Sequence, residues 1–151
     1  MKVTTPRLLA ILSAPFVVVL AAVVVATLAI PDVVLHVDRT TYQVGEMVQF
    51  SLHNGRSDRV YLSCPAPWQV QRQVNGSWHA VETHICPLFL VPVEAGGTVN
   101  WTWLSQTQPD HADLAPVVPG SYRIDLAVMI ECNASGSGCS TQHLIAPFKL
   151  E

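Results

Sequence analysis

The chain of 151 residues is long enough for one ordinary domain and an additional segment, but it is too short for two ordinary domains. Hydrophobic residues make up 50% of the chain and charged residues only 13%, and the formal net charge is −3. The basic residues are few and scattered, which argues against nucleic acid and anionic lipid headgroups as partners.

Residues 8–30 form an uncharged and almost wholly aliphatic stretch. As a helix, this stretch would reach roughly 35 Å, which is enough to cross a hydrocarbon core of about 30 Å. Basic residues precede it and acidic residues follow it, so the positive-inside rule places the N-terminus in the cytoplasm. We therefore predict an N-terminal hydrophobic helix within residues 1–30 and a domain of residues 31–151 outside the cytoplasm.

Two interpretations of residues 1–30 stay open, an uncleaved transmembrane anchor and a signal peptide. Thr27 and Ala29 would supply the small residues that signal peptidase requires. The apolar stretch of 23 residues is longer than the roughly 7 to 15 residues of a signal peptide's hydrophobic region. Its length favours a single-pass membrane protein, and cleavage would give a secreted one.

From residue 31 onward the hydrophobic pattern has a period of 2, so we predict an all-β domain of about eight strands. The predicted strands lie at residues 33–37, 48–52, 60–62, 68–74, 78–81, 99–103, 122–130 and 144–150. Turn chemistry separates them at Asn54-Gly55, Asn75-Gly76, Gly96-Gly97 and Pro119-Gly120. Large side chains are expected to fill the core, namely Phe50, Trp101, Trp103, Tyr122 and Phe148.

All four cysteines lie in the exported part, at Cys64, Cys86, Cys132 and Cys139. An even number in an oxidising compartment predicts two disulfides. Three connectivities are possible, and the predicted hairpins favour Cys64–Cys86 and Cys132–Cys139 because each pair then lies near one hairpin. In the second hairpin we expect Val128 opposite Leu144, which places Cys132 opposite Ser140.

Three segments carry a resemblance to known domains, YQVGEMVQFSLHN at 42–54, NGSW at 75–78 and PGSYRI at 119–124. They resemble bacterial immunoglobulin-like domains, which include the BsuPI-like proteinase-inhibitor type. The resemblance implies an immunoglobulin-like β-sandwich of about 7–8 strands, whose first core strand follows Y-x-x-G-E and whose penultimate strand begins at P-G-x-Y-R. It brings no catalytic residues. The predicted strand 48–52 also lacks the inter-sheet cysteine of antibody domains, so packing must hold the core.

The sequence predicts no catalytic, cofactor or metal site. No serine has a G-x-S-x-G setting, and the cysteines have no C-x-x-C spacing. The six histidines are spread over the chain, at His36, His53, His79, His84, His111 and His143. They are more typical of surface residues than of metal ligands.

The carboxylates are likewise expected to be structural. Asp110 and Asp113 follow Pro109 and are more typical of the first turn of a short helix than of an acid pair. Glu82, Glu94 and Asp125 are expected to be solvated residues at strand edges or on outward faces.

Three asparagines stand in N-x-[ST] sequons, at Asn75, Asn100 and Asn133. In a host with an N-glycosylation pathway they are possible acceptors. Asn75 and Asn133 also have a structural explanation as turn residues.

We expect a non-catalytic binding or structural module, tethered to the membrane by its N-terminal helix and recognising another protein. Residues 105–119 form a long loop, which suits either a binding surface or a plain crossover between sheets. The alternatives are an inhibitor of an exported protease and, less favoured, a carrier of a small ligand or metal.

Overall fold

The structure is a computed structural model, and it describes residues 33–87, 89–107, 114–133 and 137–151. All of them belong to one unit, Pro31–Glu151. The helix predicted within residues 1–30 lies outside the described residues. In the part of the chain that is described, no helix is long and apolar enough to span a membrane.

The described residues form ten strands in two sheets, which confirms the all-β prediction. In chain order the strands are β1 Val33–Val37, β2 Thr41–Tyr42, β3 Met47–Asn54, β4 Val60–Leu62, β5 Trp68–Val74, β6 Ser77–Glu82, β7 Val91–Val93, β8 Thr98–Leu104, β9 Gly120–Ile130 and β10 Ser140–Leu150. The smaller sheet has the order β1-β3-β8, and the larger has the order β2-β10-β9-β4-β7, with β5 paired to β9 and β6 paired to β5.

The predicted number of about eight strands was wrong, because β2 and β7 were not predicted. They contain two and three residues, too few for a period of 2 to be visible in the sequence. Pro92 lies within β7, and proline is tolerated there because β7 ends the order of its sheet.

Strand β9 is the centre of the larger sheet. Along its whole length it pairs with β10. On its other side, β5 pairs with residues 122–126 and β4 pairs at Met129. β4 and β5 therefore pair with different parts of β9, and the segment that connects them carries Cys64.

The core lies between the sheets and is built from the alternate side chains of each strand. The Phe50 ring packs edge-on against Trp68, with centroids 5.0 Å apart, and Tyr122 stacks on Phe148 at 5.6 Å. Four of the five aromatic residues predicted for the core are buried. The fifth, Trp101, is only partly buried.

The predicted register of the β9–β10 hairpin was wrong by two residues. Leu144 lies opposite Leu126 rather than Val128, and Ser140 lies opposite Ile130 rather than Cys132. An even shift leaves every side chain on the same face, so hydrophobic alternation cannot detect it. The loop begins earlier than expected because Glu131 already has a positive φ of 55°.

The β5–β6 hairpin turns at Asn75-Gly76, as predicted, and the turn has two residues because Val74 lies opposite Ser77. Asn75 and Gly76 have φ values of 50° and 84°, as the favoured hairpin turns require. Between Val70 and Gln71 the register shifts by one residue. The extra residue of this bulge is Val81 on β6, and the side chains of both Val81 and Glu82 are buried.

Asn54 was predicted to be a turn residue, but it is a buried residue at the end of β3. Its side-chain amide donates hydrogen bonds to the carbonyl oxygens of Asp58 (2.9 Å) and Val93 (3.0 Å). It therefore joins the smaller sheet to the end of β7, which lies in the larger one.

Candidate functional site

The disulfides join Cys64 to Cys86 and Cys132 to Cys139, the pairing that the hairpins favoured. The Cα atoms are 5.6 Å apart in the first pair and 4.1 Å apart in the second. Cys64 is buried next to the end of β4. The first disulfide therefore fixes the segment that follows β6 to the framework of the larger sheet.

An apolar loop, defined here by Ile85, Phe89 and Leu90, lies beside the first disulfide. Ile85 is fully exposed, and Phe89 and Leu90 are 52% and 41% exposed. The Phe89 N–H donates to the Pro87 carbonyl oxygen at 2.9 Å, which turns the chain after Cys86. Exposed apolar groups that lie together mark interaction surfaces more often than single ones do.

A polar cluster surrounds Glu82, which ends β6 shortly before this loop and was wrongly expected to be solvated. Glu82 is only 6% exposed, because the bulge at Val81 in β6 turns both residues inward. Trp103 Nε1 donates to Glu82 Oε2 at 3.3 Å, and His84 Nδ1 lies 3.9 Å from Glu82 Oε1. The carboxylate therefore has partners that offset part of the cost of its burial.

The His84 ring lies edge-on against Trp68, with centroids 4.1 Å apart. A cavity of about 260 Å³ is lined by both rings and by the Cys64–Cys86 disulfide. The Trp68 indole N–H is buried and has no acceptor among the described residues. Chemically, this cavity can offer the His84 imidazole to a small group, whereas the indole nitrogen is covered by protein atoms.

The described ends of loop 105–119 are firmly held. Ser105 is buried, and its hydroxyl donates to the Glu46 carbonyl oxygen at 2.9 Å. On the other side Val117 is buried, and its N–H donates to Thr107 Oγ1 at 3.1 Å. Both ends therefore belong to the framework, as a crossover between the sheets requires.

The outward face of the larger sheet carries a second group of polar and aromatic side chains. The Arg123 guanidinium lies 4.3 Å above the centre of the Trp78 ring and donates from Nε to Gln71 Oε1 at 2.8 Å. Asp125, expected to point outward, does so and lies 2.8 Å from His143 Nδ1. Arg123 therefore has an aromatic and an amide partner, and Asp125 has an imidazole partner.

A cavity of about 500 Å³ adjoins Trp78 on this face. It is open and shallow, and its polar lining includes Thr41, Ser121 and Lys149. In size it falls within the usual range of ligand clefts. The Thr, Ser, Gln and Lys side chains among its described lining residues are exposed or half-buried.

The three sequon asparagines are exposed. Asn75 occupies the β5–β6 turn, and Asn100 lies on the outward face of β8. Asn133 Oδ1 accepts a hydrogen bond from the Ser137 N–H at 2.9 Å, which shapes the tip of the β9–β10 hairpin. The positive φ of Asn75 and the hydrogen bond accepted by Asn133 therefore support their explanation as turn residues.

Other candidates from the sequence are not brought together. His36 and His53 lie on the smaller sheet, and His79 and His143 lie on the larger one. Across the described ranges, no three His, Cys, Asp or Glu side chains are placed to share a metal ion. Outside the described residues lie three further candidates, Asp110, His111 and Asp113. Glu94 is exposed, as expected, and pairs with Arg59 at 2.7 Å.

The sequence reasoning missed the apolar loop, although a signal was present. The run ICPLFL at 85–90 is apolar without alternation, and its Cys86 and Pro87 make a buried strand an unsuitable assignment. An apolar segment such as 85–90, which precedes the short strand β7, has to lie on the surface or cover another element.

No family model matches the sequence, and neither does any curated protein. Among solved structures, the chain is similar to the alkylpurine DNA glycosylase AlkC of Pseudomonas fluorescens bound to DNA containing an abasic site analog, at 16% identity and a TM-score of 0.43. It is also similar to the β-glucosidase EmGH1 of Erythrobacter marinus, at 12% identity and a TM-score of 0.40. A third likeness is PapD-like domain 7 of human CEP192, at 13% identity and a TM-score of 0.27.

These likenesses cover 80%, 78% and 99% of this chain. The chain spans only 30% of the glycosylase and 15% of the glucosidase, and 94% of the PapD-like domain. At such TM-scores and identities they carry no argument about function. The function is therefore argued from the surfaces of this chain.

Proposed function

We propose that residues 31–151 form an immunoglobulin-like, non-catalytic binding module outside the cytoplasm, which recognises another protein through the apolar loop. Residues 1–30 tether it to the membrane, or release it if they are cleaved as a signal peptide. The observation that carries this proposal is the full exposure of Ile85 beside the disulfide-bonded Cys86.

The strand order supports the immunoglobulin-like part of the proposal. In that fold, strands A, B and E share one sheet and strands G, F, C and C′ share the other. The smaller sheet, β1-β3-β8, matches A, B and E in chain order. The path β10-β9-β5-β6 through the larger sheet matches G, F, C and C′. Trp68 on β5 takes the place of the buried tryptophan of strand C.

A tyrosine corner is a second supporting feature. In immunoglobulin-like domains, a tyrosine near the start of strand F bonds back to the preceding loop. Tyr122, near the start of β9, donates from its hydroxyl to the Val118 carbonyl oxygen at 2.6 Å. The resemblance to bacterial immunoglobulin-like domains is kept as part of the same proposal, because β9 begins within the P-G-x-Y-R segment.

The two disulfides support a location outside the cytoplasm. Disulfides persist in oxidising compartments and are rare where thiols are kept reduced. Here all four cysteines are paired, so no thiol is left free. The apolar stretch of residues 8–30 supplies the route of export that such a location needs.

The apolar loop has the properties of a protein-binding surface. Its side chains are exposed, and the disulfide holds the adjacent backbone in place before any partner binds. Such preorganisation lowers the entropy cost of association. Three large apolar side chains buried at an interface would form its desolvated centre, where binding hot spots occur.

The test is to capture partners from the native cell envelope with the full chain and to identify them by mass spectrometry. The variants Ile85→Lys and Phe89→Lys should lose specific partners, while Ile145→Lys should retain them. Ile145 is the matched control, because it is 45% exposed on the outward face of β10. Substitutions at exposed positions should leave stability nearly unchanged. Equal capture by all variants, or turnover of a substrate, would contradict the proposal.

Inhibition of an exported protease is a second candidate function, and the same loop favours it. A protease accepts an extended segment whose exposed side chain enters its specificity pocket, and Ile85 is such a side chain. Stoichiometric inhibition that Ile85→Gly abolishes would promote this function. Ordinary cleavage of the chain at the loop, without inhibition, would reject it.

A further inference from the structure

Strand β8 forms an open edge of the smaller sheet. It pairs with β3 alone, in an unbroken register from Thr98 to Leu104. Its sequence, TVNWTWL, contains no charge, proline or glycine. Natural sheets usually protect their edges with such residues or with bulges, because an unpaired edge is a template for another strand. In the described part of the chain, no second strand pairs with β8.

The hydrogen bonds at the two ends of the ladder show which groups face outward. The Asn54 N–H donates to the Gly97 carbonyl oxygen at 2.9 Å, and the Ser105 N–H donates to the Glu46 carbonyl oxygen at 3.0 Å. In an antiparallel ladder, residues bonded to the partner strand alternate with residues that are not. The odd-numbered residues of β8 therefore bond to β3, and the even-numbered residues direct their N–H and C=O groups to the open edge.

In three of these outward residues, Thr98, Asn100 and Thr102, neither group bonds to another described residue, so both can bond to a further strand. Leu104 differs, because its carbonyl oxygen already accepts a hydrogen bond from the Gln106 N–H at 2.8 Å. An incoming strand would therefore be centred on Asn100.

We propose that β8 pairs antiparallel with β8 of a second copy of this chain, about a two-fold axis at Asn100. Asn100 then lies opposite Asn100 of the second copy, and Thr98 lies opposite its Thr102. Each of these residue pairs exchanges two backbone hydrogen bonds, as in an ordinary antiparallel ladder. The two smaller sheets become one continuous sheet.

The chemistry of β8 favours a second copy over an unrelated strand. Because β8 has no charge, its pairing with itself brings no like charges together. On the outward face, the opposed amide and hydroxyl side chains can bond to each other, as cross-strand pairs of this kind do. On the inward face, Val99 lies opposite Trp101 of the second copy. Other two-fold registers leave an outward residue unpaired or require the occupied carbonyl of Leu104.

Cysteine cross-linking of the full chain, solubilised in a non-ionic detergent, tests the register directly. Opposite residues in a hydrogen-bonded pair have Cα atoms about 5.5 Å apart, which suits a disulfide. Asn100→Cys should therefore form a disulfide-linked dimer under mild oxidation, identified by peptide mapping. Thr98→Cys and Thr102→Cys should not cross-link alone but should cross-link when mixed. Gln49→Cys, exposed on the same face in β3, is the control that should stay uncross-linked.

Sedimentation of the same detergent-solubilised chain tests pairing without oxidation. The unmodified chain and Gln49→Lys should have twice the protein mass of Asn100→Lys, because the last change places like charges on the two-fold axis. The Lys changes are at exposed positions, so thermal unfolding should confirm that both variants fold. A monomeric unmodified chain, equal masses for both variants, or cross-links of Asn100→Cys only to another protein would overturn the proposal.

Discussion

Tyr122 and Val118 are joined by two hydrogen bonds that use both backbone groups of Val118. The tyrosine hydroxyl donates to the carbonyl oxygen at 2.6 Å and accepts from the N–H at 3.0 Å. The ring of Tyr122 is buried in the core, and Val118 belongs to the loop that enters β9. One side chain therefore links the core to the path of the crossover between the sheets.

We expect Tyr122→Phe to lower the free energy of unfolding by about 1–3 kcal/mol, because two partly buried backbone groups lose their partner. The ring and its packing against Phe148 are kept, so the loss isolates the hydroxyl. Tyr61→Phe is the control, since the Tyr61 hydroxyl bonds to the exposed side chain of Arg59. Denaturant unfolding measures both variants. An equal loss in the two variants would mean that the hydrogen bonds of Tyr122 stabilise the fold no more than the exposed hydrogen bond of Tyr61.

The two disulfides should contribute unequally to stability. They close segments of different length, with sequence separations of 22 for Cys64–Cys86 and 7 for Cys132–Cys139. Loop-closure entropy then gives about 3 kcal/mol for the first and about 2 kcal/mol for the second. Paired serine substitutions and denaturant unfolding measure each contribution. A larger loss from the shorter segment would contradict the entropic account.

Stability should fall in alkali, partly through Tyr42. Burial, together with a hydrogen bond from the hydroxyl to Asp38, raises the pKa of Tyr42 from 10.0 to about 12. The unfolded chain releases this proton first, so the stabilisation is complete below pH 10 and is lost as the pH rises through about 12. The difference in unfolding free energy between the native chain and Tyr42→Phe should therefore shrink across this range. A constant difference would show that Tyr42 does not titrate as described.

Much of the fold follows from patterns that the sequence displays directly. Alternation over residues 122–130 and 144–150 predicts two long strands, because each has one face on the core. The turn at Asn75-Gly76 is equally clear, since few residues tolerate its positive φ values. The disulfide pairing follows from these hairpins.

Other features depend on contacts between distant residues, which one sequence does not reveal. The register of β9 and β10 was wrong by two residues because alternation fixes the face and not the pairing. Glu82 was expected in solvent because the bulge at Val81, opposite Val70 and Gln71, has no sequence signature. The apolar loop was not predicted because its run of apolar residues has no alternation, and alternation is the pattern that identifies a half-buried strand.

Glu82 and Trp103 offer a test of the buried polar cluster. Glu82→Ala should lower stability by about 1–3 kcal/mol, because the buried Trp103 N–H loses an acceptor. Glu82→Gln keeps an acceptor oxygen at the same place and should lose less. Denaturant unfolding followed by tryptophan fluorescence measures both. Equal losses would indicate that the negative charge, rather than acceptance from Trp103, stabilises the cluster.

The proposed membrane topology can be tested in spheroplasts, where only the outer side of the membrane is open to added protease. The apolar residues 8–30, with basic residues before and acidic residues after them, should leave residues 31–151 on the outside. Protease should then remove the domain and leave the N-terminal segment in the membrane, while a cytoplasmic marker protein stays intact. If the domain were protected until the membrane was dissolved, its orientation would be the opposite of the one proposed. A soluble form beginning at Ile30 would instead identify a cleaved signal peptide, since Thr27 and Ala29 would then have directed cleavage.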